Sequence, residues 1–162
     1  MRHHSLTVPL AIGLALAGVF PAAAHDHSRG AAKVTLAGKT VAVDYGRPSL
    51  KGRDMLARAA VGQEWRMGAD AATTLDTTAT LGFGAKQVPP GTYVLKARKA
   101  SETDWVLKFE KDGQAVAEVP LQSSTLDQSV ETLAIDLAEE RGQGVFRMSW
   151  GTRMLSTRFT AK

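Results

Sequence analysis

Val88 to Gln114 reads VPPGTYVLKARKASETDWVLKFEKDGQ, and this stretch decides the fold. Pro90 presets one corner dihedral and Gly91 supplies the positive φ that the next corner position needs, so the chain turns and a strand leaves directly. Tyr93, Leu95 and Ala97 fall at every second position, as do Trp105, Leu107 and Phe109. Side chains two apart share one face of a strand, so each trio marks a strand with one buried face. Asp112-Gly113 is a two-residue hairpin signal between the second strand and the next.

The same period of two extends in both directions. Val34 and Leu36, then Val41, Val43 and Tyr45 after the turn residues AGK, read as a hairpin. Leu75, Thr77, Ala79, Leu81 and Phe83 follow, and beyond the opening stretch come Ala115 to Leu121, Leu133 to Leu137, Phe146 to Trp150, and Leu155 to Phe159. One segment breaks the rhythm: in GRDMLARAAVGQEW, Met55, Leu56, Ala59 and Ala60 fall at helical spacing ahead of Gly62. The expected architecture is all-β, an antiparallel two-sheet sandwich of about nine short strands with one short helix in a long inter-strand connection. An outer-membrane barrel is disfavoured, because most candidate strands fall short of the roughly 9 to 11 residues a crossing needs.

The chain opens with MRHHSLTVPLAIGLALAGVFPAAAHD. A charged lead at Arg2, an apolar run from Leu10 to Phe20 and the small residues Ala22 to Ala24 make a secretory signal pattern. Residues 1–24 are read as a signal peptide, 25–32 as a flexible arm and 33–162 as a single β-sandwich domain. Cleavage leaves 138 of the 162 residues, a size that buries a real core. With no cysteine, the exported domain relies on packing rather than disulfides and carries no lipid anchor. The expectation is a periplasmic or secreted protein with no membrane anchor after cleavage. The leader takes away one of 20 bases and none of 16 acids, so the remainder carries +3. That charge is mild and dispersed, which argues against nucleic acid as a partner.

Chemistry concentrates between Tyr45 and Thr74. Arg47, Lys51, Arg53, Arg58 and Arg66 face only Asp54, Glu64 and Asp70 in this part of the sequence. Pro48 stiffens the chain and pushes Arg47 toward extended backbone, while Gly46 and Gly52 permit turns. Arginine forks on such a connection match carboxylate, sulfate or phosphate, and Tyr45 or Trp65 offers a flat apolar surface. Thr73 and Thr74 add hydroxyls. The candidate ligand-binding residues are therefore Tyr45, Arg47, Lys51, Arg53, Trp65, Arg66, Asp70, Thr73 and Thr74. The alternative for the same side chains is internal: arginines saturated by nearby acids and carbonyls, with Trp65 in the core.

The successive elements VDYGRPSLKGR, EWRMGADAATTL, VPPGTYVL and TDWVLKF resemble the motifs of the bacterial domain of unknown function 2911 family, in that family's order over nearly all of the chain beyond the leader. The resemblance implies an exported bacterial domain and brings no established activity, substrate or catalytic residue. Asp70 departs from it by standing where an asparagine is expected, which favours an ion pair with Arg66.

No nucleophile elbow, phosphate loop or dinucleotide fingerprint is present. Beyond the leader the histidines are His25 and His27, both in the arm, so no imidazole is available as a general base within the domain. If the leader is cut after Ala24, the amine, amides and imidazole of His25-Asp26-His27 suit square-planar copper or nickel; a disordered polar tail is the simpler reading. Three function classes remain. The first is a binding module for a small anionic or carbohydrate-like ligand. The second is a hydrolase using carboxylates, drawn from Asp44, Asp54, Glu64 and Asp70, or a bound metal. The third is an envelope interaction protein docking a partner through sheet edges or the arm.

Overall fold

The computed structural model describes residues 28–162. Among them are ten strands and no helix: β1 (Arg29–Leu36), β2 (Lys39–Gly46), β3 (Glu64–Trp65), β4 (Thr74–Thr77), β5 (Leu81–Phe83), β6 (Lys86–Val88), β7 (Gly91–Lys99), β8 (Trp105–Lys111), β9 (Gln114–Glu140) and β10 (Gln143–Ala161). The opening stretch folds as its pattern predicts. β7 begins at Gly91, pairs with β8 antiparallel, and Asp112-Gly113 closes the β8–β9 hairpin with φ of 51° and 74°, the double positive-φ turn that matches strand twist. Ala37 and Gly38 do the same for β1 and β2, with φ of 48° and 77°.

The two-sheet expectation is corrected. The strands form one antiparallel sheet in the order β1-β2-β4-β7-β8-β9-β10-β5-β6, with β3 pairing β7 beside β4. Two strands run far longer than the sequence pattern indicated, 27 residues in β9 and 19 in β10. No glycine or proline lies between Leu121 and Gly142 to stop the first, and Gly151, at φ 61°, bends the second without ending it. At about 3.3 Å per residue, a straight β9 would far overrun a domain of this size. The strands therefore bend. Near the end of β10, the Phe159 ring lies against Gly144 at its start, closely enough to exclude a Cβ there. β1 also touches β9, five places away in the sheet order. The sheet thus curls over itself, and its concave face does the work expected of two facing sheets.

That concave face holds one core. Val41, Val43, Leu75, Tyr93, Leu95, Leu107, Phe109, Val119, Leu133, Phe146, Met148 and Leu155 are all buried within a single cluster. Each such side chain contributes roughly 1.5–3 kcal/mol by leaving water. The convex face is charged. Lys96 and Lys108 stand directly opposite each other on β7 and β8, a repulsive placement on its own. Glu110 bridges both at 2.8 Å, and Glu64 accepts from Lys108 at 2.7 Å. Hydrogen bonds to Glu110 and then Glu64 raise the Lys108 pKa, and bonds from Lys108 and then Lys96 lower that of Glu110. Arg98 and Glu118 continue the charged face at 2.9 Å. On these strands charge lies outside and apolar side chains inside.

The expected short helix is also corrected. Residues 55–58 make a turn, with Arg58 N–H donating to Asp54 O at 3.3 Å and Ala59 N–H to Leu56 O at 3.4 Å. Gly52 and Gly62, at φ 76° and 87°, break the chain on both sides. The interval is too short to offset helix nucleation.

Candidate functional site

The connection from β2 to β4 is pinned to the body at three places. At its start it runs beside β9: Leu133 N–H donates to Pro48 O at 3.0 Å, Leu50 N–H to Glu131 O at 2.9 Å, and the hydroxyls of Ser49 and Thr132 lie 3.2 Å apart. Proline has no N–H, yet its carbonyl still pairs. In the middle sits Asp54. Its carboxylate accepts from Ala57 N–H at 3.1 Å, Thr152 N–H at 3.2 Å and the Thr152 hydroxyl at 3.0 Å, and it lies where a Cβ on Gly151 would fall. Partial burial alone would raise the Asp54 pKa. The bonds from Ala57, Thr152 and Leu56 outweigh it and hold the carboxyl below its ordinary value. The third pin is Gly62 N–H on Lys99 O at 2.8 Å, reinforced by Lys99 Nζ on Ala59 O at 3.2 Å.

Between β3 and β4, the WRMGADAATT segment folds into a tight loop. The buried Thr73 hydroxyl donates to Met67 O at 2.9 Å and closes it, while Met67 and Asp70 adopt φ of 58° and 60°. Gly46 and Gly68 meet where this loop touches the end of β2, and the Ala69 carbonyl occupies the space a Cβ on Gly46 would need. The sequence assigned Gly46 to a turn. Its requirement is close approach instead.

The nine predicted residues separate into groups. Tyr45 is buried on β2 and donates its hydroxyl to Ile135 O at 3.3 Å. Arg47 is half-buried, with Nε on Leu133 O at 3.4 Å. Thr73 belongs to the loop just described, and Thr74 pairs with Asp44 and Val94 in the sheet. Arg66 is exposed and donates to the backbone oxygen of Asp70 at 3.1 Å, so that pair meets through a carbonyl. Lys51 and Arg53 are exposed on the connection. Trp65 is half-buried and stacks on Trp150 at 5.5 Å between ring centroids and 16° between planes. The indole N–H of Trp150 donates to Glu131 O at 3.3 Å, which fixes the stack. His25 and His27 lie outside the described residues.

Trp65 is where the connection opens a hollow. A cleft of about 80 Å³ lies between the 55–59 turn and the sheet, lined by Met55, Leu56, Arg58, Ala59, Gln63, Trp65 and Trp105. Met55 is 48% exposed although apolar. Arg58 is exposed and makes no side-chain hydrogen bond or ion pair among the described residues. The cleft thus combines two indoles and a thioether with one cation, a set suited to an apolar or aromatic group carrying negative charge. Met55 read as the face of a helix and Trp105 as core of a strand, so no local signal pointed either of them here.

Neither this cleft nor the larger groove near Arg158 is lined by a carboxylate. The four acids considered for hydrolysis have different surroundings: Asp44 pairs with Arg29, Asp54 caps the turn, Glu64 faces the lysine ladder and Asp70 lies in the β3–β4 loop. Among the described residues no group of three or more His, Cys, Asp or Glu stands together as a metal site. No curated protein and no solved structure matches the chain. The profile described as Protein of unknown function (DUF2911) matches residues 28–159, and the chain belongs to that family.

Proposed function

We propose that this chain is an exported binding module whose site is the cleft under the β2–β4 connection, taking the apolar end of a small ligand between Trp65 and Trp105 while its anionic end rests on Arg58. The observation that carries this reading is an arginine without a side-chain partner among the described residues, beside two indoles and an exposed methionine in one hollow. The cleft is smaller than the usual 300–1,000 Å³ of small-molecule sites, so it suits one ring or a short chain with the charged group outside. Export rests on the leader pattern in the sequence. Lys51 and Arg53, exposed on the same connection, add positive field for an approaching anion.

Differential thermal unfolding with benzoate and indole-3-acetate tests the reading. Both should stabilise the wild type, and Arg58→Ala should remove most of the gain while its ligand-free midpoint stays unchanged. Equal stabilisation of the two proteins would place binding elsewhere.

A further inference from the structure

A second concavity lies where the sheet divides. β9 pairs with β8 up to Leu121 and with β10 from Gln122 onward. β10 pairs with β9 as far as Ser156 and meets β5 at Thr160. Between those points Thr157, Arg158 and Phe159 have no cross-strand partner in register among the described residues. On the facing wall stands Pro120, which carries no N–H and so offers no donor toward the gap. The fork encloses about 330 Å³, lined by Phe83, Gly84, Pro120, Gln122, Thr157 and Arg158. That volume lies within the range of small-molecule sites.

We infer that this fork binds a neutral saccharide of one or two rings. Three features select that chemistry. The Pro120 ring, with the exposed edge of Phe83, which is otherwise buried against Phe109 and Phe159, supplies apolar surface for the C–H face of a sugar. The Gln122 carboxamide and Thr157 hydroxyl each both donate and accept, as vicinal hydroxyls require. The third feature is charge balance at the mouth. Arg158 is neutralised by Glu140 at 2.6 Å, Glu140 also binds Arg147, and Arg147 reaches Asp136 at 3.3 Å, so two cations face two acids. Bonds from Arg147 and then Arg158 hold the Glu140 pKa below its ordinary value, so it stays ionised near neutrality. An anion would have to displace it. A neutral hydroxyl needs only the N–H groups that Glu140 leaves.

The test is amide chemical-shift mapping on the full domain. Probes are glucose, galactose, mannose, N-acetylglucosamine, maltose and cellobiose at millimolar concentration, with glucuronate as anionic counterpart. At least one neutral sugar should move the Gly84, Gln122, Thr157 and Arg158 amides together and saturably, without moving the Trp65 and Trp105 indoles. Gln122→Ala and Thr157→Val should each weaken it about fivefold, the effect of one lost hydrogen bond, with the remaining spectrum intact. No shift with any neutral sugar, shifts confined to the tryptophan cleft, or tighter binding of glucuronate than of glucose would overturn the inference. Because the two sites share no lining residue, this result and that for the connection cleft stand or fall separately.

Discussion

At Gly46 a hydrogen stands where any other residue would drive a methyl group into the backbone carbonyl of Ala69. Backbone gives little, so Gly46→Ala should cost about 1–3 kcal/mol in urea unfolding. Gly113→Ala, in open space at φ 74°, carries only the left-handed backbone penalty of about 1–2 kcal/mol. Gly113 was legible from its Asp-Gly context. The role of Gly46 was not, because close approach involves a carbonyl 23 positions away in the chain. The arginines divide similarly. Arg47 satisfies the Leu133 carbonyl from a half-buried position, whereas Arg53 is exposed. Arg47→Ala should lower the unfolding midpoint by several degrees and Arg53→Ala should leave it unmoved; equal midpoints would remove the structural role of Arg47. Composition marked both as cations on a connection, and only the fold separates them.

The connection acts as an element through Asp54, which joins the 55–58 turn to the bend of β10 at Gly151 and Thr152. Replacing its carboxylate with an amide keeps the shape but turns one of the two accepting oxygens into a donor, so Asp54→Asn loses the bonds at either Ala57 or Thr152 and should cost about 0.5–1.5 kcal/mol. The pH dependence has a definite sign. The folded-state pKa lies below the ordinary value of 3.8, so the stabilisation is complete above that value and is lost as pH falls through the lowered one. Wild type should therefore lose its advantage over Asp54→Asn only in strong acid, as read from paired unfolding curves. The sequence showed apolar residues at helical spacing here. It could not show that the flanking glycines leave room for only one turn, or that the acid beginning it would be claimed by a distant threonine.

Across the molecule, the strands themselves were plain from their alternation, because burial of one face requires a period of two. What alternation cannot encode is whether facing layers belong to two sheets or one, since a long bent strand and two short strands bury side chains in the same rhythm. β9 and β10 are such strands, and they merge what the pattern separated. One continuous core makes one cooperative unit, so far-ultraviolet circular dichroism and tryptophan fluorescence should give coincident urea transitions. The convex ladder should matter mainly in acid. Glu110 titrates below its ordinary value, so its contribution is whole above that value and declines as pH drops through the lowered one, whereas the raised pKa of Lys108 leaves neutral pH untouched. The cleft was half legible: Trp65 and the cationic connection stood out, while Met55 and Trp105 entered only when the chain folded over them. The most direct test follows the indole N–H resonances of Trp65, Trp105 and Trp150 during titration with indole-3-acetate. Trp65 and Trp105 should shift together and saturate, Trp150, held on Glu131, should move least, and Arg58→Ala should weaken the response severalfold; three unmoved resonances, or a response indifferent to Arg58, would rule out binding in the cleft.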